Sequence, residues 1–245
     1  SNSLANIKFG TSGKLVKYME LKIVDDKGNE LPLGEKGEIC IKGDNVMAGY
    51  WENPVATADT IRNGWLHTGD MGFMDPDGFL HVLGRFKSLL ISSDGEKFSP
   101  EGIEEAFVDQ SPYIDQVMLH NNQNPFTVGL VVPNATSLIR ETEKHGLAKG
   151  SDEAVDFALK ALQKEIDAYK KGGKFEGQFP ERWLPTTIAV LPEAFTEDNA
   201  LLNSTMKMVR GKINTYFSKE LEYLYSPEAK NILNEMNRNA MKKWL

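Results

Sequence analysis

The sequence has 245 residues, 40% of them hydrophobic, which is enough for one large domain or two small ones with a real core. The 28 basic and 35 acidic residues give a net charge of −7, and no Lys/Arg cluster dominates. This balance excludes a nucleic-acid-binding surface. No apolar stretch approaches the roughly 20 residues that span a bilayer, and the first residues lack the layout of a secretion signal.

The first residues and the single cysteine indicate how the chain begins and which compartment suits it. Ser1-Asn2-Ser3 resembles the remnant of a cleaved tag, and no initiating methionine stands ahead of it. We therefore expect the chain to be a truncated part of a longer protein. The single cysteine, Cys40, lies in an apolar run and is predicted to be a buried thiol in a strand. No intrachain disulfide can form, which fits a cytoplasmic location.

The first part of the chain predicts β-structure. Apolar and polar residues alternate over 19–25 before a turn-forming Asp-Lys-Gly-Asn, and a second predicted strand covers 37–42. Shorter runs at 73–74 and 79–83 are separated by Asp-Pro-Asp-Gly, a strong turn signal. Residues 4–87 are therefore predicted to form a small β-rich domain.

The second part mixes helices and strands. Ser99-Pro100-Glu101 predicts a helix start, with a capping serine and a proline in the first turn. Strands are predicted over 116–119 and 127–132, and a helix over 135–145. Residues 88–245 are thus predicted to form a compact α+β domain with a short sheet flanked by helices, so the whole chain is of the α+β class.

Further helices are predicted towards the end. Apolar residues at three- and four-residue steps predict an amphipathic helix over 151–171, ended by Gly172-Gly173. A strand is predicted over 186–191 and helices over most of 205–245. The tail helix, 227–245, has a basic and aromatic end, for which two interpretations stay open: packing on the domain, or peripheral contact with a membrane.

One short segment carries a candidate binding group. Gly64–Gly72 places Asp70 between two glycines, just before a predicted hairpin. An exposed carboxylate there can accept hydrogen bonds from two vicinal hydroxyls, as a ribose offers. The alternative interpretation is a turn in which Asp70 caps the backbone.

Four segments in order carry a family resemblance. GEICIKGDNVMAGYWENP at 37–54 precedes the 64–72 segment, GRFKSLLISSDGEKFSPEGIEE follows at 84–105, and LPEAFTEDNALLNSTMKMVRGKI stands at 191–213. Together they resemble the adenylate-forming enzymes, which include acyl-CoA synthetases, peptide-synthetase adenylation domains and luciferases. The last segment is similar to the long-chain fatty acid CoA ligase branch.

The resemblance implies a reaction and three site residues. A fatty carboxylate attacks the α-phosphate of ATP to give acyl-AMP, and the thiol of CoA then displaces AMP. The resemblance makes Lys207 the catalytic lysine, whose ammonium would stabilise the charge that develops during adenylation. It makes Asp70 the residue that holds the ribose hydroxyls, and Arg85 a ligand of ribose or phosphate oxygens. Without the motif, Lys207 would be predicted to be a solvated helix lysine.

The resemblance also implies a hinge and a CoA contact. In the family the chain pivots just after the Gly-Arg pair, usually at an Asp or Lys; here Ser88 occupies the usual Asp position, so Lys87 and Ser88 are both candidate hinge residues. The loop that follows makes Gly95 and Lys97 candidate contacts of CoA. Its alternative interpretation is an ordinary hairpin turn at Asp94-Gly95.

Several family motifs do not occur in the sequence. Residues 10–14 look like part of a phosphate cradle, but Leu15 follows where a Ser or Thr would bind a metal, and strand sequence follows where a helix should begin. The phosphate loop, the magnesium motif and the acyl tunnel are not matched. The resemblance therefore implies that ATP, Mg2+ and CoA bind in a full-length enzyme, and that this chain provides no metal ligand.

The partners follow from the same argument. Fatty acid, ATP and CoA are the expected small-molecule substrates, and the N-terminal domain of the same protein is the expected partner. The chain alone is expected to hold none of these ligands tightly and to have no ligase activity. Val46, Tyr50 and Trp51 are expected to be exposed where that domain would cover them.

Two other functions stay open at this point. One is a ligase that delivers its acyl group to a carrier protein instead of CoA. The other is a non-catalytic module that binds a nucleotide or a partner protein. The insertion between residues 145 and 185 and the Ala-Phe-Thr-Glu-Asp-Asn run favour the long-chain CoA branch.

Overall fold

The computed structural model describes residues 7–245, apart from the side chain of Lys87. The chain divides into two compact units, one that ends at Leu89 and one from Leu90 to Leu245. The sequence-predicted boundary, between residues 87 and 88, lies in the turn just before that division. The predicted α+β class is confirmed. No helix in the described part of the chain is long and apolar enough to cross a membrane.

The first unit is mostly β-sheet. Its elements are β1 (Gly13–Lys14), β2 (Glu20–Val24), β3 (Gly37–Lys42), α1 (Pro54–Thr60), β4 (Ile61–Arg62), β5 (Trp65–Met74), β6 (Phe79–Arg85) and a 3-10 helix (Phe86–Ser88). The strands form one antiparallel sheet in the order β1-β6-β5-β3-β2, and β4 pairs with the start of β5. The predicted strands over 19–25 and 37–42 are confirmed within one residue.

The alternation along these strands places few side chains in a core. Ile23 pairs with Ile39 across β2 and β3, and both are buried. Cys40 is fully buried in β3, which confirms its predicted position. Some large apolar side chains are exposed to solvent: Trp51 is 89% exposed and Tyr50 is 48% exposed. Val46, which was expected to be exposed as well, is only partly so.

The second unit holds the remaining elements. They are β7 (Leu90–Ser92), β8 (Lys97–Phe98), α2 (Glu101–Gln110), β9 (Ile114–His120), β10 (Asn122–Asn124), β11 (Val128–Pro133), α3 (Ala135–Lys144), α4 (Asp152–Asp167), a 3-10 helix (Glu181–Trp183), β12 (Thr187–Val190), α5 (Arg210–Tyr216), α6 (Ser218–Tyr223), a 3-10 helix (Glu228–Lys230) and α7 (Glu235–Met241). Strands β7, β8 and β10 form a small sheet, and a second sheet has the order β12-β11-β9.

The second sheet is buried on both faces. Val131 and Val190 belong to a core cluster with α2, α3, α4 and α7, while their neighbours Leu130 and Ala189 belong to a cluster with α5 and α6. Successive strand residues point to opposite faces, so the apolar run of β11 supplies both clusters. This explains why β11 reads as a continuous apolar stretch.

Several predicted helix ends are wrong. The helix predicted over 151–171 ends at Asp167, because the chain then turns so that Phe175 N–H donates to Ala168 O at 2.7 Å. Pro100, not Ser99, is the N-cap residue of α2, although Glu101 N–H lies 3.4 Å from the Ser99 hydroxyl.

The tail predicted as one helix over 227–245 is also divided. It contains a short 3-10 helix and α7, separated by residues 231–234, and the Asn234 side chain caps α7 by accepting from Asn237 N–H. Trp244 Nε1 donates to Leu191 O at 2.7 Å, and Leu245 is buried. These contacts support the interpretation that the tail packs on its own domain.

Candidate functional site

Asp70 lies inside strand β5, which forms a hairpin with β6, so the alternative interpretation of Asp70 as a turn residue is wrong. The register explains the difference. Glu38 of β3 pairs with Met71, while Cys40 pairs with His67, so residues 68–70 bulge opposite the single residue Ile39. A β-bulge takes backbone groups out of the ladder and re-aims side chains. Gly69, with a φ of +71°, supplies the left-handed conformation that the bulge needs.

Side chains satisfy the backbone of this bulge. Gly69 N–H donates to Glu38 Oε1 at 3.1 Å, and Asp70 N–H donates to the Thr68 hydroxyl oxygen at 3.0 Å. The Thr68 hydroxyl itself donates to Ile39 O at 2.8 Å. Because partly buried N–H groups are costly to leave unpaired, Glu38 and Thr68 hold the bulge in one shape.

Asp70 and Arg85 are brought together, as a shared site requires. They are paired residues on β5 and β6, and Arg85 Nη1 donates to Asp70 Oδ1 at 2.9 Å and to Thr68 O at 3.1 Å. The Asp70 side chain is 35% exposed, and that of Arg85 is 61% exposed. The pair therefore presents an acceptor and a cationic donor side by side at the sheet surface.

A group of potential metal ligands lies beside the bulge. Glu38, Cys40 and His67 have ligand atoms within 4.8 Å of one another. Their contacts form a hydrogen-bonded cluster: His67 Nδ1 lies 2.7 Å from Glu38 Oε2 and 3.4 Å from Cys40 Sγ. Burial raises the pKa of the Cys40 thiol to about 11, which keeps it protonated. The cluster thus supports the bulge through hydrogen bonds.

The candidate CoA loop is a hairpin. Gly95 N–H donates to Ser92 O at 2.9 Å, Glu96 N–H donates to Asp94 Oδ1 at 3.0 Å, and the flanking strands β7 and β8 pair. The Glu96 carboxylate accepts hydrogen bonds from both Nε and Nη2 of Arg182, at 2.7 and 2.8 Å. The alternative interpretation, a hairpin turn at Asp94-Gly95, describes the loop's backbone correctly, and a role of Gly95 and Lys97 in CoA binding stays a prediction.

The candidate hinge residues form a short turn. Lys87 and Ser88 lie in the 3-10 helix over 86–88, between extended backbone at Arg85 and Leu89. The turn ends one residue before the chain passes into the second unit. A short turn between two extended residues is a place where dihedral angles can change.

Lys207 lies at the tip of a hairpin, not in a helix. The first helix after residue 205 begins at Arg210, and Lys207 is exposed. Asn203 closes the tip, because its side-chain oxygen accepts from Lys207 N–H at 2.9 Å and from Thr205 N–H and Oγ1 at 3.0 and 2.9 Å. Met206 adopts a φ of +59°, a strained conformation for a non-glycine residue.

The base of that hairpin is buried. Leu202 bridges to Met208, and Val209 N–H donates to Leu201 O at 2.8 Å. Leu201 and Leu202 belong to the core cluster with α5 and α6. A rigid base and an exposed cationic tip are suited to bringing one ammonium group to a ligand.

A buried ion pair stands just after the hairpin. Arg210 Nη2 donates to Glu104 Oε2, Arg210 Nη1 donates to Leu119 O at 3.2 Å, and Leu119 N–H donates to Glu104 Oε1 at 2.6 Å. Burial raises the pKa of the Glu104 carboxyl, while the guanidinium of Arg210 opposes that shift. A charged pair with further backbone partners is how a folded protein accommodates buried charge.

Sequence reasoning missed five residues that shape these sites. They are Glu38, Thr68, Glu104, Asn203 and Arg210. Glu38 and Glu104 carried a signal, because each is an acidic residue within an otherwise apolar strand or helix face. Their partners lie far along the chain, at residues 67–69 and 210, and no local pattern identifies such partners.

Comparison with known proteins gives a consistent result. A family model described as AMP-binding enzyme matches residues 3–51. A long-chain-fatty-acid–CoA ligase of Cavia porcellus is 35% identical over 211 residues, which cover 85% of this chain and 30% of that protein. The chain thus spans about a third of the length of the curated relatives that it matches.

Solved structures agree on the fold. The adenylation domain of a carboxylate reductase from Mycobacterium chelonae has a TM-score of 0.65 at 23% identity, covering 89% of this chain and 34% of that one. O-succinylbenzoate coenzyme A synthetase from Bacillus subtilis, solved with ATP and magnesium ion, has a TM-score of 0.56 at 25% identity, covering 84% and 36%. Both likenesses extend over both units of this chain.

Proposed function

We propose that this chain, which corresponds to the carboxyl-terminal portion of an adenylate-forming acyl-CoA synthetase, provides the nucleotide clamp and the catalytic lysine of a long-chain fatty acid–CoA ligase. Relatives that carry that name match 85% of the chain. The complete reaction would form acyl-AMP and pyrophosphate from a fatty acid and ATP, and then acyl-CoA and AMP. The residues proposed below act in that reaction together with the rest of the enzyme.

The observation that carries the proposal is the Asp70–Arg85 pair on adjacent strands. The bulge at 68–70 fixes the Asp70 carboxylate, and Arg85 Nη1 lies 2.9 Å from its Oδ1. A carboxylate can accept from both vicinal hydroxyls of a ribose, and a guanidinium can donate to ribose or phosphate oxygens. The two residues together match the chemistry of one nucleotide.

Lys207 is proposed to act in the adenylation step. Its exposed ammonium at a hairpin tip can approach the α-phosphate and the attacking carboxylate oxygen, where negative charge develops. A preorganised cation that meets developing charge in a water-excluded site contributes about 3–4 kcal/mol to the lowering of the barrier. Lys87 and Ser88 are proposed to form the hinge about which the second unit moves between the two half-reactions.

The binding of CoA and of Mg2+ is assigned separately from the nucleotide site. Gly95 and Lys97 are proposed to contact CoA from the β7–β8 hairpin. In the described residues, the Glu38–Cys40–His67 cluster contains a soft and protonated thiol, which does not suit Mg2+. We therefore assign no magnesium ligand among the described residues, and residues elsewhere in the enzyme would hold the Mg2+ that neutralises the phosphates of ATP.

The decisive experiment uses the full-length protein of which this chain is proposed to be the carboxyl-terminal portion. Fatty-acid-dependent exchange of pyrophosphate into ATP measures adenylation, and transfer from preformed acyl-AMP to CoA measures thioester formation. We expect Lys207→Ala to reduce adenylation about 10²- to 10³-fold and to spare transfer. Asp70→Ala should raise the KM for ATP, and Asp77→Asn, in an exposed turn, serves as the matched control.

Other outcomes would change the assignment. Fatty acids of graded length test the long-chain preference. Acyl-AMP that accumulates with CoA but is consumed with a holo-carrier protein would support a carrier-protein ligase instead. Full adenylation by Lys207→Ala, or acyl-CoA formation by the 245-residue chain alone, would contradict the proposed division of roles.

A further inference from the structure

The hairpin that carries Lys207 is held by two separate devices. The Asn203 side chain closes the tip, since it accepts from Lys207 N–H and from Thr205. These contacts fix the shape of the tip, yet all of them lie within residues 203–207. They do not fix where the tip stands relative to the domain. Placement must come from the base of the hairpin.

Arg210 anchors one side of that base. It stands three positions after Lys207 in the chain, so their Cα atoms lie within roughly 11 Å of each other. Its guanidinium contacts Glu104 on α2 and Leu119 O on β9, and 14% of its side chain is exposed. The other side of the base continues into Leu201 and Leu202, which are buried in the core.

The Glu104–Arg210 contact has the features of a directional anchor. Glu104 is itself buried and receives Leu119 N–H with its second oxygen, so neither carboxylate oxygen is left unpaired. A planar guanidinium bound at two of its nitrogens fixes orientation as well as distance, which an apolar contact does not. Replacing a buried ion pair by apolar groups often preserves stability, so stability alone does not account for this pair.

We propose that Glu104 and Arg210 are positioning residues for Lys207, and that through it they control the adenylation half-reaction. This inference rests on the proposed function of Lys207. Neither residue contacts a substrate in this scheme. The pair attaches the base of the hairpin to α2 and β9 and so fixes where the tip lies. A small displacement of the tip moves the ammonium away from the reacting phosphate.

The test compares half-reactions in the full-length enzyme. Arg210→Lys keeps the charge but removes the two-point contact, and Glu104→Gln keeps the shape but removes the charge. Arg238→Lys is the matched control, because Arg238 forms a similar 2.8 Å contact with Asp156 between α4 and α7. We expect Arg210→Lys and Glu104→Gln to slow adenylation roughly 10- to 100-fold at saturating ATP, with transfer to CoA within about twofold of wild type. The control should change neither.

A double variant identifies the route of the effect. In a Lys207→Ala background, Arg210→Lys should add no further loss of adenylation, because the group that it positions is gone. Equal slowing of both half-reactions, or additive losses in the double variant, would overturn the positioning role. If Lys207→Ala itself leaves adenylation intact, the proposed function fails first, and the two failures are thereby distinguished.

Amide hydrogen exchange on the 245-residue chain gives an activity-free measurement. Arg210→Lys should speed exchange at the amides of Lys207 and Val209, while amides of β11 stay protected. Uniform loss of protection across the second unit would mean that the pair only stabilises the fold. Glu104→Gln, which perturbs packing least, decides the question if Arg210→Lys does not fold.

Discussion

The two units of this molecule solve the problem of holding a functional group in different ways. In the second unit, apolar clusters cover both faces of the β12-β11-β9 sheet, and the Lys207 hairpin stands on them. In the first unit, the described residues include few buried apolar side chains, namely Ile23, Val24, Ile39, Cys40, Met71 and Phe79. Its Asp70 bulge is held by hydrogen bonds that the backbone N–H groups of Gly69 and Asp70 donate to Glu38 and Thr68.

This difference has a physical consequence. Burial in a large apolar core contributes most of the stability of an element, while a polar network fixes geometry but contributes little net stability. The first unit should therefore be the less stable one and the more sensitive to loss of single polar contacts. The second unit should tolerate changes of exposed polar side chains and lose most of its stability when its core is truncated.

The largest effect is expected for truncation of the second core. Leu162→Ala, at a fully buried position of α4, should lower the free energy of unfolding of the second unit by about 3 kcal/mol through lost burial and a cavity. Trp183 and Trp244 report this unit once Trp51 and Trp65 are replaced by phenylalanine. Urea unfolding followed by tryptophan fluorescence measures the change.

The control for that experiment lies in the first unit. Leu33→Ala removes the same atoms from a side chain that is 65% exposed and should leave both transitions unchanged. Trp65, kept as the single tryptophan in a second chain, reports the first unit. If Leu162→Ala shifted both transitions equally, the units would unfold as one, and the contrast drawn above would be wrong.

A smaller effect is expected from the polar network. Glu38→Ala removes the acceptor of Gly69 N–H and the partner of His67, so it should destabilise the first unit by about 1–3 kcal/mol. Glu38→Gln keeps an acceptor oxygen and should cost less. Trp65 fluorescence follows the transition in a chain with Trp51, Trp183 and Trp244 replaced. An unchanged midpoint for Glu38→Ala would show that the bulge does not need this network.

The pH dependence of the second unit should be set partly by His120. Burial lowers the pKa of its imidazole, the side chain of Asn214 opposes that shift, and the charge of Arg210 adds to it. The folded state thus binds fewer protons than the unfolded state near the ordinary histidine pKa of about 6.5. Stability of this unit should be fully present above that pH and should fall as the pH drops through it.

The measurement compares His120→Gln with wild type. Urea midpoints of the second unit from pH 7.5 to pH 5.5 should fall more steeply for wild type, because the variant has no imidazole to protonate. Replacement of the exposed His145 by glutamine is the control. Parallel slopes for wild type and His120→Gln would mean that other groups set the acid sensitivity.

The smallest effect is expected at an exposed ion pair. Lys242 Nζ lies 2.7 Å from Asp152 Oδ1, but both side chains are about half or more in water. Asp152→Asn should leave the midpoint of the second unit unchanged within error, since solvent and salt screen such pairs. A clear shift would show that polar contacts matter as much in this unit as in the first.

Local sequence patterns predicted much of the fold. The alternation in β2 and β3, the turn at Asp94-Gly95 and the helix over 135–144 were identified because each is determined by neighbours within a few residues. The end of α4 was predicted four residues late, because Phe175 and the following turns pack back on Ala168 by a tertiary contact. Lys207 was expected near a helix, but the Asn203 turn leaves it in a hairpin.

The sequence by itself determined the α+β class and strands β2 and β3, since these follow from periodicity. It also supplied the candidates Asp70, Arg85 and Lys207, through motifs that resemble those of the adenylate-forming enzymes. Only the tertiary structure decided that Asp70 lies on a bulge and pairs with Arg85. It also decided that Arg210, just after the Lys207 hairpin, contacts Glu104. Strand register and buried ion pairs join residues 15 to 106 positions apart, and such contacts depend on how the whole chain folds.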